Sequence, residues 1–168
     1  MKFFSYHPEI AETIRSSKFS SLIQQTRFLA RMKAKKAQEE FPDSLILAAD
    51  TLVGLKGKIL GKPESEKQAF QMLRTLNGNE HEVVTTVALL KNTQAAIRSV
   101  VTKVWFYKKP PSFLKWYLST GEYKDKAGAY GIQGHGSLLV KKIEGDYYNV
   151  VGLPVGVLWE MLEKFKKK

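Results

Sequence analysis

Leu45-Ile46-Leu47-Ala48-Ala49-Asp50-Thr51, followed by Lys56-Gly57-Lys58 and Gly61-Lys62-Pro63, decides the reading of this 168-residue chain. A short apolar run of this length predicts a buried strand, and a carboxylate at its end is costly to desolvate unless a cation or hydrogen bonds compensate. Asp50 therefore requires a partner. The lysines of the next hairpin and turn offer positive charge, and Pro63 restricts the turn that presents Lys62. A carboxylate among ammonium groups, completed by a divalent ion and a polyphosphate, points to phosphate chemistry. The bland alternative is a strand-end aspartate hydrogen-bonded to nearby amides.

Upstream of this strand, residues 20–40 carry apolar side chains at helical spacing, Leu22, Ile23, Phe28, Leu29, Met32 and Ala37, and Phe41-Pro42-Asp43 stops the helix. Lys33 lies on that helix. Downstream, Leu52–Leu55 and Lys58–Leu60 predict a hairpin around Lys56-Gly57. Ser65-Glu66-Lys67-Gln68 has the spacing of a capping box and opens a helix that runs to Leu76 and stops at Asn77-Gly78. Val83–Leu90 and Ile97–Tyr107 predict two long strands of a second hairpin, Pro110-Pro111-Ser112 starts another helix, and Gly121 closes it. Ser137–Ile143 and Asp146–Val151 predict a third hairpin around Glu144-Gly145, and a last helix follows Pro154. Strands and helices interleave, so an α/β sheet protein is expected.

The length suits one domain, and 43% apolar residues suffice for a packed interior. With no cysteine, thiol catalysis, disulfides and cysteine-zinc sites are excluded. The three histidines, His7, His81 and His135, stand far apart, which speaks against a histidine metal cluster. No apolar run reaches the roughly 20 residues of a membrane-spanning helix, and Met1-Lys2-Phe3-Phe4 leads into polar residues rather than a secretory core. A cytoplasmic protein is expected. The net charge of +11 favours an anionic partner by long-range attraction. Nucleic acid is not the expected one, because no recognition element accompanies the charge.

Two further sets of residues bear on chemistry. Glu9 and Glu12 are either exposed acids near the N-terminus or ligands that share a metal with Asp50, since Mg²⁺ prefers oxygen donors and keeps several waters. The segment from Ala127 to Gly136 holds four glycines and matches neither a Walker loop nor a dinucleotide fingerprint. Within it, Gln133 has the amide donor and acceptor needed to read a nucleobase edge.

Taken in order, Ala49-Asp50-Thr51, Gly61-Lys62-Pro63, Met72-Leu73 through Asn77-Gly78 to His81-Glu82-Val83, Asp125-Lys126-Ala127-Gly128-Ala129-Tyr130-Gly131-Ile132-Gln133-Gly134, and Glu144-Gly145-Asp146-Tyr147-Tyr148-Asn149-Val150-Val151-Gly152-Leu153-Pro154 resemble the Maf family of nucleotide pyrophosphatases. The resemblance covers most of residues 9–162. It implies a fold similar to inosine-triphosphate pyrophosphatases: a mixed β-sheet with flanking helices and two lobes around a nucleotide cleft, in one domain over residues 1–168. It also implies cleavage between the α and β phosphates, dependent on Mg²⁺ or Mn²⁺, releasing a nucleoside monophosphate and pyrophosphate.

In that pattern Asp50 matches the acid that activates water or holds metal, and Glu12 the early acidic position that shares the metal. Lys33 and Lys62 match the phosphate-binding lysines. Thr51 with Gln133 resembles the subgroup acting on dTTP and UTP. Homodimers and a link to restraint of cell division belong to the same family pattern. The pattern usually opens with a strand and a Ser-x-Ser-Pro-Arg-Arg turn, which is not found here; the first match is near Pro8, so the sequence reads as a domain without that strand and phosphate loop. The rival expectation is a catalytically impaired relative that binds nucleotides or a division partner.

Overall fold

The computed structural model describes residues 21–166. Helix α1 (Leu22–Glu40) leads into β1 (Ile46–Leu55) and β2 (Lys58–Leu60); α2 (Glu66–Leu76) then precedes the long strands β3 (Glu80–Lys91) and β4 (Gln94–Phe106). The chain continues through α3 (Pro111–Ser119), two short 3₁₀ turns, β5 (Val140–Glu144), α4 (Tyr147–Val151) and α5 (Val155–Lys166). The described strands form one sheet in the order β2-β1-β3-β4-β5.

All four pairings among the described strands are antiparallel. The mixed sheet expected from sequence is therefore an antiparallel one over the described residues. The reason is in the connections: tight turns at Lys56-Gly57 and Asn92-Thr93 reverse the chain, and neither leaves room for a parallel crossover. Lys56 and Gly57 both take positive φ, 48° and 77°, the combination that matches a two-residue hairpin to the twist of its strands.

Strand periodicity divides β1 between two environments. Ile46 and Ala48 face α1, where Ala30 and Ala34 pack against them and Ala88; alanines on both surfaces let the helix lie close to the sheet. Val53 and Leu55 face the larger core formed with α2 and α3, which includes Leu73, Leu76, Leu114 and Tyr117. The apolar run is less buried than expected. Leu47 is 45% exposed, because β2 reaches β1 only at Val53–Leu55 and leaves the rest of that edge without a described strand.

Helix α2 starts as its sequence predicts. The Ser65 hydroxyl accepts from the Gln68 amide at 3.2 Å, and the Gln68 side chain accepts from the Glu64 amide at 2.5 Å. The third hairpin does not form. Asp146 instead caps a helix, its Oδ1 accepting from the amides of Tyr148 (2.7 Å) and Asn149 (3.3 Å), and Gly152 ends that helix at φ 116°. Among the described residues β5 pairs with β4 alone, and α4 lies across the sheet. Its Asn149 is fully buried there, accepting from the Thr85 amide and donating to the Val83 carbonyl and the Thr102 hydroxyl.

Candidate active site

A cavity of about 450 Å³ opens beside Ala49, Asp50 and Thr51 of β1, where no further strand pairs with β1 among the described residues. Asp50 and Thr51 are consecutive on that strand, so their side chains leave on opposite faces and form different walls of the same cavity. On the α1 face, Lys33 Nζ donates to Asp50 Oδ1. Helix and strand reach this pairing through the alanine contact below them, with a buried Thr86–Thr26 hydrogen bond of 2.9 Å holding α1 to β3.

Asp50 is only 10% exposed, whereas Lys33 keeps about a third of its side chain in solvent. Burial pushes the Asp50 carboxyl above the usual aspartate range, and the nearby charges of Lys33 and then Lys62 offset this only in part. Lys62 stands at the mouth, 63% exposed, with its ammonium 3.7 Å from the Asp125 carboxylate. Its turn is tied to the opposite rim where the Gly61 carbonyl accepts from the Gly128 amide at 3.0 Å. Gly128 has φ 69°, and a Cβ there would press within 3.1 Å of Val53, so glycine permits both the turn and the close approach to β1.

The other wall carries Thr51, Val83, Tyr130 and Gly152, with Gln133 at its upper edge. Thr51 Oγ1 lies 2.9 Å from Thr85 Oγ1. Below Tyr130 sits His81, almost wholly buried, its Nε2 2.8 Å from the Tyr130 hydroxyl. Burial lowers the His81 pKa to about 4. The loop bearing Gln133 is pinned from below by Glu122, which accepts from the amides of His135 (3.0 Å) and Gly136 (3.1 Å) and pairs with the His135 ring (2.6 Å).

Five of the residues singled out in the sequence, Lys33, Asp50, Thr51, Lys62 and Gln133, thus line one cavity. Glu9 and Glu12 lie outside the described residues. Glu122, Asp125, Lys126 and Tyr130 also border the cavity and were not singled out. The positive φ of Asp125, 58°, has no sequence signature beyond the glycines that follow it. Glu122 sits next to a helix-ending glycine, where an acid reads as surface.

Among the described residues no three His, Cys, Asp or Glu side chains converge to cage a metal. Asp50 nevertheless fits a hard divalent cation of the kind held by one or two carboxylates with water and substrate phosphates, since among the described residues its protein contact is Lys33 at Oδ1.

One cavity thus carries the Lys33–Asp50 pair and Lys62 on one side of β1 and the side chains of Thr51, Tyr130 and Gln133 on the other. The chain belongs to the family of Maf-like proteins, whose profile matches residues 2–165. It is 44% identical over its whole length to a dTTP/UTP pyrophosphatase of Pyrococcus horikoshii, covering 88% of that relative. To the dTTP/UTP pyrophosphatase of Carboxydothermus hydrogenoformans it is 46% identical over 94% of this chain and 84% of the relative. That of Halalkalibacterium halodurans is 53% identical over 76% of this chain and 67% of its own.

Proposed function

We propose that this protein is a nucleoside triphosphate pyrophosphatase that hydrolyses dTTP and UTP between the α and β phosphates. The reading rests on one observation above others: the partly buried Lys33–Asp50 pair and the exposed Lys62 border the same cavity as Thr51 and Gln133. In this reading the triphosphate lies along the lysine wall and the base enters the compartment of Thr51, Tyr130 and Gln133. The two sides act as the two lobes of an inosine-triphosphate-pyrophosphatase-like cleft, and Lys126, at the rim, is a further cation within the cavity lining.

Asp50 takes a proton from the attacking water, for which its raised proton affinity is suited. The water oxygen bonds to the α phosphorus, the bond from that phosphorus to the bridging oxygen breaks, and pyrophosphate leaves with the electron pair. Lys33 and Lys62 balance the charge that gathers on the leaving group. Bound Mg²⁺ or Mn²⁺ would supply additional charge neutralisation at Asp50, with Glu12 as a second oxygen ligand. A cytoplasmic homodimer is the proposed setting; no described helix is long and apolar enough to cross a membrane.

The test is product analysis with dTTP, UTP, CTP and 7-methyl-GTP in the presence of Mg²⁺ or Mn²⁺. The expected products are dTMP or UMP with pyrophosphate. Release of a nucleoside diphosphate and inorganic phosphate would place the cut elsewhere, and no turnover by a folded sample would favour a non-catalytic nucleotide binder.

A further inference from the structure

The base compartment contains one hydroxyl whose donor and acceptor roles are fixed by residues behind it. Thr85 Oγ1 is 2.8 Å from the Asn149 main-chain carbonyl, which only accepts, so the single Thr85 proton is committed there. Thr51 Oγ1, 2.9 Å from Thr85 Oγ1, must then donate its own proton into that contact. What Thr51 turns toward the cavity is lone pairs.

The chain of contacts has little freedom to reverse. Thr85 and Asn149 are both fully buried. Asn149 is fixed at its side chain by the Thr85 amide (3.0 Å), the Val83 carbonyl (3.0 Å) and the Thr102 hydroxyl (2.9 Å). Thr51 and Thr85 are also direct partners in the β1–β3 ladder, so the strands hold the two hydroxyls in register.

We propose that Asn149 and Thr85 are positioning residues for base selection: they hold Thr51 as an obligate acceptor, matched to the imide N3–H of uracil and thymine and mismatched to the bare N3 of cytosine. The proposal deepens the dTTP/UTP reading above and rests on its placement of the base. Gln133 alone does not make this distinction. Its amide can donate to O4 of uracil or, rotated, accept from the N4 amino group of cytosine. A group of fixed polarity is needed to separate the two, and a buried acceptor facing another acceptor is penalised more heavily than a lost contact.

The experiment compares binding of non-hydrolysable α,β-imido analogues of UTP and CTP by calorimetry, alongside kcat/KM for UTP and CTP. Thr85→Val removes the hydroxyl that orients Thr51 and frees the Thr51 proton to donate. The preference for the uracil analogue should fall about tenfold, with the cytosine analogue gaining affinity, whereas Thr85→Ser, which keeps the hydroxyl, should restore the preference. Both quantities are ratios within one protein sample, so loss of folded material does not imitate the effect.

Should Thr85→Val not fold, Thr51→Val carries the test on the cavity wall: affinity for the uracil analogue should drop about tenfold and that for the cytosine analogue should not. An unchanged preference in Thr85→Val, or equal losses for both analogues in Thr51→Val, overturns the proposal. So does failure of the unsubstituted protein to prefer the uracil analogue. Analogue discrimination without hydrolysis of UTP would instead overturn the pyrophosphatase reading and leave the base-selection argument standing.

Discussion

Asp50 and Glu122 are both carboxylates on the cleft, each with a basic partner, yet their proton affinities move in opposite directions. Asp50 is buried against α1 and its pKa rises; desolvation outweighs Lys33 and Lys62. Glu122 lies on the rim and its pKa falls, driven first by the His135 amide and ring and assisted by the Gly136 amide. A neighbouring cation therefore does not by itself set a carboxylate's behaviour. Water access and the number of donors aimed at it decide the sign. Ionised Asp50 is retained at a cost to stability, while the rim cluster uses its charge to hold a loop.

Asp50→Asn is the largest expected effect. Removing the base and charge should lower hydrolysis about a thousandfold. Stability should move the other way. Because folding raises the Asp50 pKa, the cost of ionising it appears as pH rises from the ordinary aspartate value through the folded one and persists at neutral pH. The melting temperature of Asp50→Asn at pH 7 should thus equal or exceed that of the parent. An inactive variant that melts lower would place Asp50 in a supporting role and break the comparison.

His81 sharpens it with the opposite charge sign. Desolvation disfavours the charged form in both cases, raising an acid and lowering a base. The unfolded imidazole takes a proton near pH 6.5 and the folded one not until about pH 4, so stability is full above pH 6.5 and lost as pH falls toward 4. Over that window the loss should approach ~3 kcal/mol. His81→Gln should flatten this slope in urea unfolding between pH 4 and 7. A slope unchanged by the substitution would assign acid sensitivity to other groups.

How much of this was legible in the sequence follows the range of the forces involved. Helix α2 and the Lys56-Gly57 hairpin are legible because Ser65, Gln68 and Gly57 act on their own neighbours. Asp146–Val151 misleads because Tyr, Val and Val are good strand formers, while the deciding contacts, Asn149 to Thr85 and Thr102, are more than 40 residues away in sequence. In the cavity, Asp50 stands out because a charge ends an apolar run. Glu122 does not, since its significance depends on a loop that returns 13 residues later. Asp125 and Lys126 lie within a quoted motif but only the fold turns them toward Lys62 and the cleft.

Lys62 offers a smaller test of the exposed side of the comparison. It is well hydrated and its contact with Asp125 is long, so the pair itself contributes little to stability. Its expected effect is on substrate: Lys62→Ala should raise KM for UTP about tenfold, with melting unchanged. Asp125→Asn should leave KM equal or lower, by releasing Lys62 toward phosphate. If Asp125→Asn weakens binding as much as Lys62→Ala does, the aspartate touches the ligand or its metal instead of merely facing the lysine.

Glu122→Gln should give the smallest effect and the most selective one. The substitution keeps one acceptor oxygen but turns an NH₂ group toward the amides of His135 and Gly136, so one of the two main-chain bonds is lost. Gly134 lies so near this carboxylate that a Cβ there would come within 2.5 Å of Glu122 Oε1, so the side chain and the loop are in close contact. The loosened segment carries Gln133, on the side of the cleft proposed to hold the base, and not Lys33 or Lys62. KM for UTP should therefore rise about threefold while kcat at saturation is unaffected. Because its pKa is depressed, Glu122 keeps the loop pinned as pH falls through the ordinary glutamate range and releases it only below that. A fall in kcat with KM unchanged would show that the rim cluster acts on the reacting phosphates, and the division between a chemical wall and a base-holding wall would no longer describe the cleft.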